Sequence, residues 1–138
     1  MHIVKRILRY FLLLLLGICV AVLWVYCHSF LPNEFISRGV LAATAERFAG
    51  IATLLVLSVF PALPINKLYP RYATVAAASI GWVPLILSIT LAYQVDLVIA
   101  KPFAISMAAA EGVACWVAVV LGAWTAGRFF AIDTQNLP

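Results

Sequence analysis

Four apolar stretches, each about the length a helix needs to cross bilayer hydrocarbon, follow one another with only short charged or proline-bearing joints between them. They cover residues 10–31, 43–64, 74–95 and 102–127. In lipid such stretches must be helical, because hydrocarbon offers backbone amides no partner. The pattern predicts an all-α integral membrane protein, with residues 1–138 forming one four-helix transmembrane bundle. Composition argues against a water-soluble fold: 66% of residues are hydrophobic and 10% charged, with a mean hydropathy of +1.11. Soluble chains are about half apolar and about a quarter charged.

Prolines punctuate the stretches. Pro32 follows the first, Pro61 and Pro64 close the second, Pro70 lies in the next joint and Pro102 opens the fourth. Pro84 stands inside the third, three residues after Gly81, and predicts a kink there. The N-terminus has the basic and apolar regions of a secretory signal but no small-x-small cleavage site, so it reads as a permanent span.

The net charge of +4 belongs to topology. Lys5, Arg6, Arg9, Lys67, Arg71 and Arg128 fall on one side of the bundle, against the lone acid Asp133. Arg38, Arg47 and Lys101 fall on the other, balanced by Glu34, Glu46 and Asp96. The positive-inside rule makes the first side cytoplasmic, so both termini are in, which requires an even number of spans. A bacterial inner membrane is the expected location. Basic residues sit at span ends and form no long run that could track phosphates, which excludes a nucleic-acid surface, and Lys5, Arg6 and Arg9 are placed to meet anionic lipid headgroups.

Glu111 is the sharpest chemical feature. Nine residues after Pro102, it lies ~14 Å into the fourth span, where an ionised side chain costs roughly 2.5–3.5 kcal/mol on insertion scales. Its helical neighbours Ala104, Met107, Ala108, Ala114, Cys115, Ala118 and Gly122 make a face that is small apart from Met107, so Glu111 should meet another helix or a polar cavity. The third span carries a matching stripe of Thr74, Ala77, Ala78, Gly81, Pro84, Ser88 and Ala92, and Ser88 and Thr90 are the expected hydrogen-bond partners of Glu111. Glu34, Arg38, Glu46 and Arg47 form the candidate recognition surface of an outer loop, with Glu34 and Arg38 at favourable helical spacing.

Several chemistries are missing. Cys19, Cys27 and Cys115 lack metal or redox spacing and read as free thiols; in one helix Cys19 and Cys27 stand ~12 Å apart, beyond disulfide reach. His2 and His28 lack partners at ligand spacing, so no metal or cofactor is expected, and His28 reads as an interfacial cap. Asp96 and Lys101 read as anchors of a tight turn. No hydrolase, metalloprotease or nucleotide-binding motif is present, and Glu111 has no second titratable group expected at its depth, so an enzyme is not indicated. The expectation is a non-enzymatic module that binds another membrane protein, as an accessory subunit or an inhibitor or immunity-type partner. The alternative is a small oligomeric transporter or channel with Glu111 as a proton or cation site.

The topology predicts the labelling of single cysteines placed in a chain cleared of its own three. A cysteine at position 34 should react with a membrane-impermeant maleimide added to intact spheroplasts, and one at position 69 only after permeabilisation. The reverse pattern would invert the bundle.

Overall fold

The computed structural model describes the backbone of residues 2–94 and 100–135 and the side chains of residues 3–94 and 100–129. Asp96 and the turn expected around it lie outside the described residues. The chain forms six α-helices: α1 (His2–Val25), α2 (Leu31–Ser37), α3 (Ala42–Val59), α4 (Ala62–Leu68), α5 (Ala73–Tyr93) and α6 (Lys101–Gln135), with no strand among the described residues. Among the described residues, four helical runs are long and apolar enough to cross a membrane: Ile3–Ser37, Ala42–Leu68, Ala73–Tyr93 and Lys101–Phe129.

Pro32 does not end the first run. It lacks an N–H and its ring crowds the carbonyl four residues back, that of His28. Residues Tyr26–Phe30 adopt a π turn in which the Leu31 amide reaches the Tyr26 carbonyl, so Pro32 falls in the first turn of α2, where no amide is needed. The Asn33 side-chain amide donates to the Ser29 carbonyl at 3.0 Å. The helix thus continues past the expected boundary at residue 31 and stops at the turn around Gly39, whose φ of +87° suits glycine.

In the second run the break is at Phe60 and Pro61, and Pro64 sits within the first turn of α4. The third run passes through Pro84 as one continuous helix. The fourth overruns residue 127 because no proline follows Gly127 until Pro138.

Helices α5 and α6 make the most extensive contact. Glycine allows it: a Cβ on Gly81 would stand 2.7 Å from the Trp116 ring, and one on Gly112 would stand 2.9 Å from Ser88 Oγ. The Trp116 indole donates to the Ala78 carbonyl at 3.0 Å and its ring leans on Trp82. Ala77, Gly81, Pro84 and Ser88 are all buried on α5. Gly122 departs from its expected role, because it faces α3, where a Cβ would fall on the Ser58 carbonyl. At 3.6 residues per turn, Gly112 and Gly122 cannot share one face over ten residues.

Trp24, Leu57, Ile65, Val119, Cys115 and small residues of α5 form the core. Buried Asn66 donates to the Ala62 carbonyl of its own helix and to the Ala123 carbonyl of α6, and buried Thr53 donates to the Ala49 carbonyl. Outside, large apolar side chains are exposed along every long helix, as expected of helices suited to lipid. On the basic side, Tyr69 donates to the Arg9 carbonyl and Arg128 lies 4.1 Å over the Trp124 ring. Burial pushes the Tyr69 phenol above its ordinary range.

Two alanine substitutions should separate packing from propensity in thermal unfolding of the detergent-solubilised protein. Gly122→Ala should destabilise by about 1–3 kcal/mol through overpacking. Gly50→Ala, with nothing within 4 Å of the new Cβ, should be neutral or stabilise by up to about 1 kcal/mol. Equal responses would contradict the close α3–α6 approach.

Candidate functional site

Gly112 seats α6 on α5, and on a helix the preceding residue points about 100° away. Glu111 is therefore turned out of the α5–α6 seam, while Cys115, one turn on, enters the core. Facing Glu111 is His28 on the π turn, with Nδ1 3.1 Å from Glu111 Oε1. The two residues are 83 positions apart in sequence.

Depth brings them together. With α2 running to Ser37, His28 stands nine residues from that helix end (37 − 28), or ~14 Å; Glu111 stands ten residues from Lys101 (111 − 101), or ~15 Å. The imidazole is held from behind by Trp24, one turn earlier, whose ring stacks on it at 4.7 Å and 10°. Trp24 is fully buried and anchors the stack in the core; its indole N–H has no hydrogen-bond partner among the described residues. The widened turn between Trp24 and Pro32 thus sets the angle of His28, a common use of π turns at functional sites.

The pair opens onto a cavity of about 1000 Å³ between the π turn, α3, α5 and α6. His28 and Glu111 side chains are 44% and 39% exposed, so both present polar atoms to this space instead of facing the packed core. Glu46, Arg47 and Thr53 of α3 line it, with Ser88 of α5 and Ala104, Met107 and Ala108 of α6. The contact between Nδ1 and the carboxyl requires a proton: either the imidazole donates to a carboxylate or a carboxylic acid donates to the imidazole. A group pair of this kind can take up and release protons and can offer a carboxylate to a cation.

Two expectations are corrected. His28, which lacked a partner in the sequence reading, is the partner of Glu111, so the acid does have a second titratable group beside it. Ser88 and Thr90 do not bond Glu111: the single Ser88 proton is shared among the Pro84, Leu85 and Ala108 carbonyls, and Thr90 bonds Ile86. Among the outer-loop candidates, Arg38 and Glu34 pair at 2.9 Å on exposed α2, away from the cavity, whereas Glu46 and Arg47 line it. Lys101 begins α6, with its ammonium 5.9 Å over the Tyr93 ring. The three cysteines are free, and no group of three or more metal-ligating side chains occurs among the described residues.

One signal in the sequence pointed to the pair. His28 and Glu111 are each the sole titratable His or acid within an apolar run, and two such groups need each other in a low-dielectric setting. Seeing them as partners required knowing that the first helix passes Pro32.

A double-mutant cycle on His28→Gln and Glu111→Gln should give a coupling of about 0.5–1 kcal/mol in unfolding free energy, the size for a partly exposed pair. Strict additivity would mean that the two side chains do not interact. The reading rests on this geometry, for no protein-family model, curated protein or solved structure matches the chain.

Proposed function

We propose that the chain is a small multi-pass protein of a bacterial inner membrane, with both termini cytoplasmic, that moves a cation or proton across the bilayer through the His28–Glu111 site. The observation that carries this reading is the 3.1 Å contact between two titratable groups of different spans at an open cavity. An ionisable group inside an apolar span is costly to keep there, and a pair facing a cavity has a use for that cost. Glu111 binds the charge, while His28 orients the carboxylate and exchanges protons with it. Both side chains of the pair come from one chain.

A second reading keeps the chain as a non-enzymatic binding module, an accessory subunit or an inhibitor or immunity-type partner. It is supported by a groove of about 410 Å³ between α1 and α5, whose floor includes Gly17, Ala21 and Ser79 and which would admit a partner helix. Gentle extraction should then yield a stoichiometric membrane partner, and a clean monomer would count against it.

Flux in liposomes tests the first reading. Under an imposed gradient, the native protein should carry protons, sodium or potassium, Glu111→Gln should fall at least tenfold towards protein-free liposomes, and His28→Gln should be impaired. Equal flux in native protein and Glu111→Gln, or none for any of these ions, would overturn it.

A further inference from the structure

The cavity is much larger than a bare ion. A dehydrated metal ion or a proton is held by a few atoms in a space of some tens of cubic ångströms, the volume of about one water being ~30 Å³. A space of about 1000 Å³ is at the upper end of the range that holds organic ligands. Its walls combine apolar side chains, Leu54, Leu91 and Met107, with the ionisable Glu111, Glu46, Arg47 and His28.

Charge narrows the choice. With His28 neutral, the two carboxylates and one guanidinium leave the cavity one negative charge in excess. Glu111 uses only Oε1 on His28, and its second oxygen has no partner among the described residues. Glu46 likewise makes no hydrogen bond or ion pair among them, so two carboxylate groups remain to receive a cation. Ring stacking on Trp24 holds one face of the imidazole and restricts how far His28 can swing to follow the carboxylate.

We propose that this cavity binds an organic ammonium with an apolar body, its cationic nitrogen on the free carboxylate oxygen of Glu111 and its hydrocarbon against Leu54, Leu91 and Met107. The assignment rests on the cation-site reading and names the class of cation. The ammonium and an additional proton on the pair compete for one carboxylate, so each displaces the other, and affinity rises with pH across the titration of the pair. The groups facing that pair are Glu46 and Arg47 from α3, Cys27 from the π turn and Cys115 from α6; α5 contributes only the hydroxyl of Ser88.

Benzyltrimethylammonium is a suitable probe, with neopentylbenzene as its uncharged isostere. Calorimetry on the full chain in nanodiscs of phosphatidylglycerol should show binding of the cation and at least tenfold weaker binding of the isostere. Glu111→Gln should weaken the cation at least tenfold, Glu46→Gln several-fold, and Glu34→Gln, which lies off the cavity, not at all. Affinity for the native chain should rise up to about tenfold per pH unit through the titration of the pair and should rise less steeply in Glu111→Gln, where only His28 still takes up a proton beside the ammonium, a difference that a merely structural Glu111 would not produce. Weaker binding in nanodiscs that also contain phosphatidylethanolamine would identify a lipid headgroup as a natural source of the ammonium, and unchanged binding would identify a free amine. Equal affinity for cation and isostere, or a cation affinity indifferent to Glu111, would overturn the assignment. Ion flux that depends on Glu111 without ammonium binding would overturn the ammonium assignment and leave the cation-site reading standing; Glu111-dependent ammonium binding without flux of any ion would leave the assignment standing and overturn transport.

Discussion

The close seat of α6 on α5 governs where the chemistry lies. Without a hydrophobic force between helices in lipid, association depends on how nearly backbones approach, and here Gly81 and Gly112 remove the side chains that would hold them apart. The Trp116 ring fills the space at Gly81 and is fixed by the Ala78 carbonyl, while the Ser88 hydroxyl lies between α5 and the Ala108 carbonyl. These contacts fix the rotation of α6 about its own axis. Once Gly112 faces α5, Glu111 has to project towards the first helix and α3.

The other half of the site depends on a local defect. Pro32 removes a ladder amide, and the chain absorbs the loss by widening one turn, which keeps the helix going to Ser37. Had the helix ended at Pro32, His28 would stand near its terminus. The continuation places it a further turn and a half from the end, at the depth of Glu111, with Trp24 stacked behind it. A helix irregularity and a mid-span acid, each unfavourable alone, are thus joined in one place.

Polar groups elsewhere on the helices are handled differently. Thr53, Ser79, Thr90 and Thr125 bond carbonyls one turn back on their own helices, and Asn66 bridges α4 to the Ala123 carbonyl of α6. Such bonds satisfy the group and add nothing that can exchange protons. His28 and Glu111 are distinct because both titrate, both face open space and they belong to different spans. That difference sets the pair apart from the packing contacts of the other helices.

Length, apolarity and the spacing of charged joints determined by themselves that the chain forms four helices long enough to cross a membrane, because an apolar run of that size admits no other backbone arrangement in lipid. The small faces of the third and fourth spans were legible for the same kind of reason, since helical periodicity lists the residues on a face. Periodicity does not choose the partner of each face, and so Gly122 was placed against α5 when it meets Ser58 of α3. Nor could it show that Pro32 is absorbed by a π turn, which depends on the neighbours that hold the widened turn in place. The meeting of His28 with Glu111 across 83 residues is a product of helix rotation, register and a continued first helix, and only the tertiary structure decided all three.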